Sequence, residues 1–175
     1  MALLFCASPI VAGSDLELRQ VQAWNRWANE RIEYTPDAAD DWADVTTTLR
    51  TGRGDCEDIA LLKWATLRAG GIPEERLQLA WGHNGVGAHM VVLYQPPEGE
   101  TLVLDNLMPI RPLSSRTDLR IWLRFNTRHA WAAGTKVPAT RIGKWRAWLA
   151  RNKSALAAQS SSTRPELNPA TSSPG

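Results

Sequence analysis

Residues 52–73 constrain this chain more than any other stretch. Gly52-Arg53-Gly54-Asp55-Cys56-Glu57-Asp58 sets a cysteine among three carboxylates behind two glycines. Ile59, Ala60, Leu61, Leu62, Trp64, Ala65 and Leu67 then form a helical apolar run, ended by Gly70-Gly71-Ile72-Pro73. The pattern predicts a tight turn that delivers Cys56 into the first turn of a buried helix. There, unpaired backbone N–H groups and the positive end of the helix dipole favour a nucleophilic thiolate. Asp55, Glu57 and Asp58 act against it, because nearby negative charge raises a thiol pKa. Alone, these residues also describe ordinary dipole partners around a small buried cysteine. The residues downstream decide between the two.

His89 opens the run Met90-Val91-Val92-Leu93-Tyr94, and Asp105 closes Thr101-Leu102-Val103-Leu104. Both runs are short, apolar and β-branched, which predicts strands. Gln95-Pro96-Pro97-Glu98-Gly99-Glu100 is the turn between them. With Pro97 as midpoint, a symmetric hairpin sets His89 directly opposite Asp105 on one face. Opposed residues have Cβ atoms about 4.5–5.5 Å apart, within reach of an imidazole–carboxylate hydrogen bond. A bulge would shift that register. The chain order Cys56, His89, Asp105 then supplies a nucleophile, a base and a group that fixes the base's tautomer.

These motifs resemble the bacterial transglutaminase-like cysteine proteinases, whose type members are periplasmic adhesin proteases. The resemblance runs over roughly residues 16–150. It is carried by Tyr34, Asp41-Trp42, the Gly52–Asp58 core, Leu67-Arg68, Gly71-Ile72-Pro73, Ala88-His89-Met90-Val91 and Leu102-Val103-Leu104-Asp105-Asn106. It implies an α+β, papain-like or transglutaminase-like cysteine protease fold, with the nucleophile's helix packed on an antiparallel sheet. It places the catalytic triad on Cys56, His89 and Asp105, and a calcium site on Asp55, Glu57 and Asp58. Those three acids are hard oxygen ligands, although three are too few to fill a calcium shell. A bound divalent cation would also offset their charge beside the thiol. The implied activity is calcium-dependent endoproteolysis of the N-terminal region of a large repeat adhesin, controlling biofilm attachment. The implied inhibitor is an inner-membrane cyclic-di-GMP receptor. Two other functions use the same residues: a transglutaminase or amidase acting on glutamine side chains, and a non-catalytic peptide-binding module.

The remainder of the chain suits one such domain over residues 14–153. At 175 residues and 43% hydrophobic it can bury one core, and a net charge of +2 gives no argument for nucleic acid. Ser14-Asp15-Leu16-Glu17 reads as a capping box opening a helix to about Ile32. Strands are expected near 77–81, 89–94 and 101–105, followed by a mixed segment to Pro138. Asp37, Asp40, Asp41 and Asp44 read as a solvated loop and helix cap rather than a metal site. Among the nine tryptophans, Trp24, Trp27, Trp64, Trp122, Trp145 and Trp148 are core candidates, while Trp42 or Trp81 could wall a peptide groove. A closing helix over 140–151 places Ile142, Trp145, Trp148 and Leu149 on one face, with basic residues around it. That face packs on the core in the simpler reading and on a membrane or partner in the other.

The two ends differ in composition from the domain. Residues 1–13 carry no charged side chain and read as a possible remnant of a signal peptide, without its basic start. Together with the resemblance, this places the mature protein in the periplasm. Cys6 is not expected to bridge Cys56. Residues 154–175, rich in Ser, Ala, Thr and Pro, read as a disordered tail.

Overall fold

The structure, a computed structural model, describes residues 9–37, 41–132, 135–139 and 142–161. Helix α1 (Pro9–Arg31) leads through the short strand β1 (Glu33–Tyr34) and α2 (Val45–Thr51) to β2 (Arg53–Gly54) and α3 (Cys56–Ala69). Seven strands follow: β3 (Leu77–His83), β4 (Ala88–Tyr94), β5 (Leu102–Leu104), β6 (Arg111–Pro112), β7 (Arg120–Phe125), β8 (His129–Ala132) and β9 (Thr135–Pro138). Helix α4 (Gly143–Ser161) closes the order. The seven form one antiparallel sheet in the order β6-β5-β4-β3-β7-β8-β9. The fold is therefore the expected α+β arrangement of a cysteine-bearing helix on an antiparallel sheet.

Strand alternation divides the core in two. Leu79, Met90, Val92, Leu104 and Phe125 share the side that meets Ile59, Leu62 and Trp64 of α3 and Trp145 and Trp148 of α4. Ala80, Val91, Leu93 and Val103 face the other way, under Leu113, Leu119 and Ile121. Trp145 and Trp148 are fully buried, stacked on each other and edge-on to Trp64. The apolar face of α4 thus packs on the core. Trp42 stacks on Phe125 within the same cluster. Trp122, expected inside, is 44% exposed and sets its ring edge against Trp81 on the surface. The β3–β7 ladder shifts register at Trp81 and Gly82, leaving Trp122 without a partner on β3, and a bulge of this kind re-aims a side chain.

Two helix boundaries move. Ser14 lies inside α1 rather than at its start, so the capping box does not form. Glu17 instead receives Arg76 at 2.7 Å and the Tyr94 hydroxyl at 2.5 Å, tying α1 to the sheet. Helix α4 runs past Ser154 to Ser161, because Ala155, Leu156, Ala157 and Ala158 are strong helix formers and carry the last turns. The remnant expected over 1–13 and the tail expected from 154 otherwise lie largely outside the described residues. So do Cys6 and Asp40. Among the described residues, no helix is long and apolar enough to cross a membrane.

Candidate active site

The turn that presents Cys56 is built by glycine. Gly52 ends α2 in the left-handed region (φ 65°), which a side chain would strain. A Cβ on Gly54 would lie 2.6 Å from that of Asp58, so only glycine lets the chain pass there. Parallel pairing of β1 with β2 holds this entry strand and sets Tyr34 against Gly54. Asp55 caps α3: its Oδ1 accepts the N–H of Glu57 at 3.1 Å and of Asp58 at 3.4 Å. Asp58 Oδ1 accepts the N–H of Ala43 at 2.8 Å and ties the preceding loop to the helix start.

Cys56 is buried, and its thiol donates to Glu57 Oε2 at 2.8 Å. The N–H of Met90, next in the chain to His89, approaches the sulfur from the sheet. Burial pushes the thiol pKa far up, and the Glu57 hydrogen bond and charge push the same way; the Met90 N–H opposes them and is outweighed. The helix start therefore does not yield a thiolate in this arrangement. Burial comes first among the causes, and the Glu57 and Asp55 carboxylates add to it.

His89 and Asp105 are 3% and 1% exposed, and His89 Nε2 lies 2.8 Å from Asp105 Oδ1. The hairpin that joins them pairs Val92 with Leu104 and Tyr94 with Leu102, so its midpoint is Glu98 rather than Pro97. Extended by one step, this ladder sets Asp105 against Val91. His89 and Asp105 are diagonal neighbours instead of opposed ones. A two-residue offset keeps the face, because side chains alternate with period two, and the pair still forms. With Nε2 on Asp105, Nδ1 is the ring nitrogen that this pair does not use.

Asp105 is held from three further directions. Its Oδ1 also accepts the N–H of Leu107 at 3.0 Å, and its Oδ2 accepts Arg116 Nη1 at 2.8 Å. Asn29 of α1 donates to its backbone carbonyl at 3.0 Å. Burial alone would raise the Asp105 pKa, but His89, the Leu107 N–H and Arg116 together hold it well below the usual carboxylate range. Arg116 is itself buried and forms a two-pronged pair with Asp118 at 2.8 Å on each arm. Sequence reading missed Arg116. Its only signal is the local Arg-x-Asp spacing in a polar stretch, and nothing there points to Asp105.

The three acids expected to hold calcium do not converge as a set. Glu57 turns to the thiol, and among the described residues no group of three or more His, Cys, Asp or Glu side chains is placed to hold a metal. Asp55 and Asp58 fit a hard cation better. Both are buried carboxylates, each with one oxygen on backbone N–H groups. Burial pushes the Asp58 pKa up to about 6; the Asp55 and Asp37 charges add to this, and the Ala43 and Asp55 N–H groups offset part of it. Crowded oxygens of this kind are the donor chemistry that calcium prefers. Asp37 also accepts the N–H of Asp41 at 3.3 Å, while Asp44 engages Arg151 and Asn152.

A protease-like site on this fold agrees with what is similar to the chain. The family model of the bacterial transglutaminase-like cysteine proteinases matches residues 7–133, and the chain belongs to that family. The EGTA-treated structure of LapG from Legionella pneumophila is 32% identical, with a TM-score of 0.71 over 77% of this chain and 78% of that one. The calcium-bound LapG structure from the same organism is 32% identical, with a TM-score of 0.69 over 79% of this chain and 84% of that one. No curated protein sequence matches the chain.

Proposed function

We propose that the protein is a cysteine endopeptidase in which Cys56 is the nucleophile, His89 the general base and Asp105 the group that orients His89. The observation that carries this reading is the buried His89–Asp105 pair at 2.8 Å, formed where the next residue's N–H meets the Cys56 sulfur. His89 Nδ1 takes the thiol proton, the sulfur attacks an amide carbonyl, and His89 returns the proton to the leaving amine. Water then hydrolyses the thioester. The N-terminus of α3 lends positive potential to the oxyanion that forms beside Cys56.

The substrate in this reading is the N-terminal region of a large repeat adhesin. The protein acts in the periplasm, and an inner-membrane cyclic-di-GMP receptor restrains it. Calcium is the cofactor, held by Asp55 and Asp58 with oxygens from neighbouring groups. When bound, it would supply positive charge among the carboxylates around the nucleophile. The existence of calcium-bound and EGTA-treated forms of the Legionella protein supports the choice of metal.

Incubation of the purified protein with an adhesin N-terminal fragment should give two shorter peptides and one new amino terminus. Cys56→Ala should abolish this cleavage with the fold retained, and His89→Ala should be nearly as severe. EGTA should stop it, calcium should restore it, and magnesium should restore it poorly, because magnesium demands a tighter octahedral shell. Ammonia release or crosslinking without backbone scission would replace the protease with an amide-exchanging enzyme. Full cleavage by Cys56→Ala would remove both.

A further inference from the structure

The exposed apolar surface of this protein gathers around the candidate nucleophile. Leu16 apart, the large apolar side chains exposed among the described residues lie at the His89 end of the sheet or beside the turn into α3. Tyr34 pairs with Gly54, Val86 lies in the loop that leads to His89, and Leu107 and Met108 follow Asp105. Trp81 and Trp122 complete the set. Apolar side chains scattered singly over a surface need no explanation, whereas their concentration in one place points to a binding site.

Trp81 and Trp122 are the part of this surface that the fold positions most closely. Leu79 is fully buried on the side of β3 that meets α3, and alternation sets Trp81 on the same side. Its neighbours across the ladders, Met90 and Leu123, both pack in the cluster that includes Cys56, and Met90 carries the N–H that reaches the Cys56 sulfur. Trp81 thus stands on the nucleophile's face, one strand over from the residue that touches it, and is still exposed. Trp122 is the extra residue of the β7 bulge, between Ile121 opposite Gly82 and Leu123 opposite Trp81. Its ring meets that of Trp81 with 5.4 Å between centroids and 89° between planes. Gly82 makes this approach possible, since a Cβ there would collide with the Arg120 carbonyl. The result is a right-angled apolar corner. The His83 ring lies 6.1 Å from Trp122, and its Nδ1 accepts the Gly85 N–H at 3.0 Å.

Building on the peptidase reading above, we propose that Trp81 and Trp122 form a subsite for a bulky apolar side chain of the peptide being cleaved, close to its scissile bond. Strand β3 is paired on both edges, so a peptide cannot join the sheet there and is read through its side chains. Indole faces also attract cations. Arg120, exposed and opposite His83 on the same face, works against a lysine or arginine at this position. A carboxylate would gain from Arg120 but lose water against two apolar rings. An apolar side chain covers the rings and leaves no charge stranded.

Binding can be read without peptidase activity, in Cys56→Ala protein carrying 5-fluorotryptophan. Trp81→Phe and Trp122→Phe assign two of the nine fluorine resonances. N-acetyl-leucinamide at millimolar concentration should shift these two ahead of the rest, and N-acetyl-lysinamide should shift neither. No shift, shifts spread over all the tryptophans, or equal shifts with the lysine amide would overturn the subsite. A second measurement uses cleavage of the adhesin N-terminal fragment. Trp122→Ala removes one wall at a surface position and leaves the core in place. Its KM should rise about tenfold with little change in kcat, and Trp122→Phe should recover most of that loss because a ring remains. A wild-type KM for Trp122→Ala would overturn the proposal. If the fragment is not cleaved while the leucine amide still shifts both resonances, the peptidase reading falls and the apolar corner stands as a binding site.

Discussion

The two halves of the candidate site are built in opposite ways. On the sheet side, His89, Asp105 and Arg116 are buried and every oxygen of the Asp105 carboxylate has a partner. On the helix side, Cys56 donates its proton to Glu57, and Asp55 and Asp58 crowd the same turn. The sheet half is held in place by the protein itself. The helix half holds its thiol neutral, and in the proposed mechanism proton transfer to His89 requires Glu57 to release it. A cation beside Asp55 and Asp58 has a physical task on the helix side and none on the sheet side.

The largest effect should come from the sheet side, where the structure leaves no slack. Arg116→Met removes the charge that meets Asp105 Oδ2 and leaves a buried carboxylate one partner short. Breaking a buried pair by removing one member costs about 3–5 kcal/mol, read as a lowered urea midpoint with an unchanged slope. Asp105→Asn in the same background should recover part of that loss, because no charge is then stranded. A single variant that unfolds like the wild type would mean that Arg116 serves Asp118 alone, and the contrast with the helix side would fail.

Acid titration separates the halves by sign. Asp105 has a depressed folded pKa, so its stabilisation is present above the unfolded value of 3.8 and is lost only in strong acid. Asp58 is raised from 3.8 to about 6, so the ionised form is the one that folding disfavours. In chelator, stability contributed by Asp58 should fall as pH rises from about 4 to about 6 and then stay level. A shift of about two units corresponds to roughly 3 kcal/mol at most. Asp58→Asn should flatten that slope while weakening calcium uptake by calorimetry. If the slope survives the substitution, the crowding at the helix start lies elsewhere.

The same contrast explains what could be read in the sequence. The Cys56 helix and its turn were legible because glycine spacing, acidic capping residues and a 3.6-residue apolar period agree over one continuous segment. The His89–Asp105 pair was legible through alternation, even though the hairpin midpoint was off by one residue and the register by two. A two-residue error keeps the face; a one-residue register error would have lost the pair. Arg116 was not legible. It meets Asp105 through a contact set by tertiary packing, and it sits in no local pattern that distinguishes it from a solvated cation. The start of α1 was misread because Ser14 and Glu17 match a cap locally, whereas Glu17 is spent on Arg76 and Tyr94 far along the chain.

The smallest expected effect is the most direct test of the Glu57 hydrogen bond to the Cys56 thiol. Glu57 acts on the thiol by accepting its proton in a hydrogen bond and by its negative charge, and both raise the Cys56 pKa. Glu57→Gln keeps an acceptor of the same shape and removes the charge. Burial, the larger cause, remains, so the thiol should stay above its ordinary range but come down. Alkylation by iodoacetamide proceeds through the thiolate, so below the pKa its rate follows the thiolate fraction. In metal-free protein the rate at neutral pH should rise roughly tenfold, the equivalent of about one unit. The gain should shrink when calcium is present, because the cation has already reduced the local negative potential. Equal rates for wild type and Glu57→Gln in chelator would show that burial alone holds the proton on Cys56. The helix side would then be as rigid as the sheet side, and the difference between the two halves would reduce to depth.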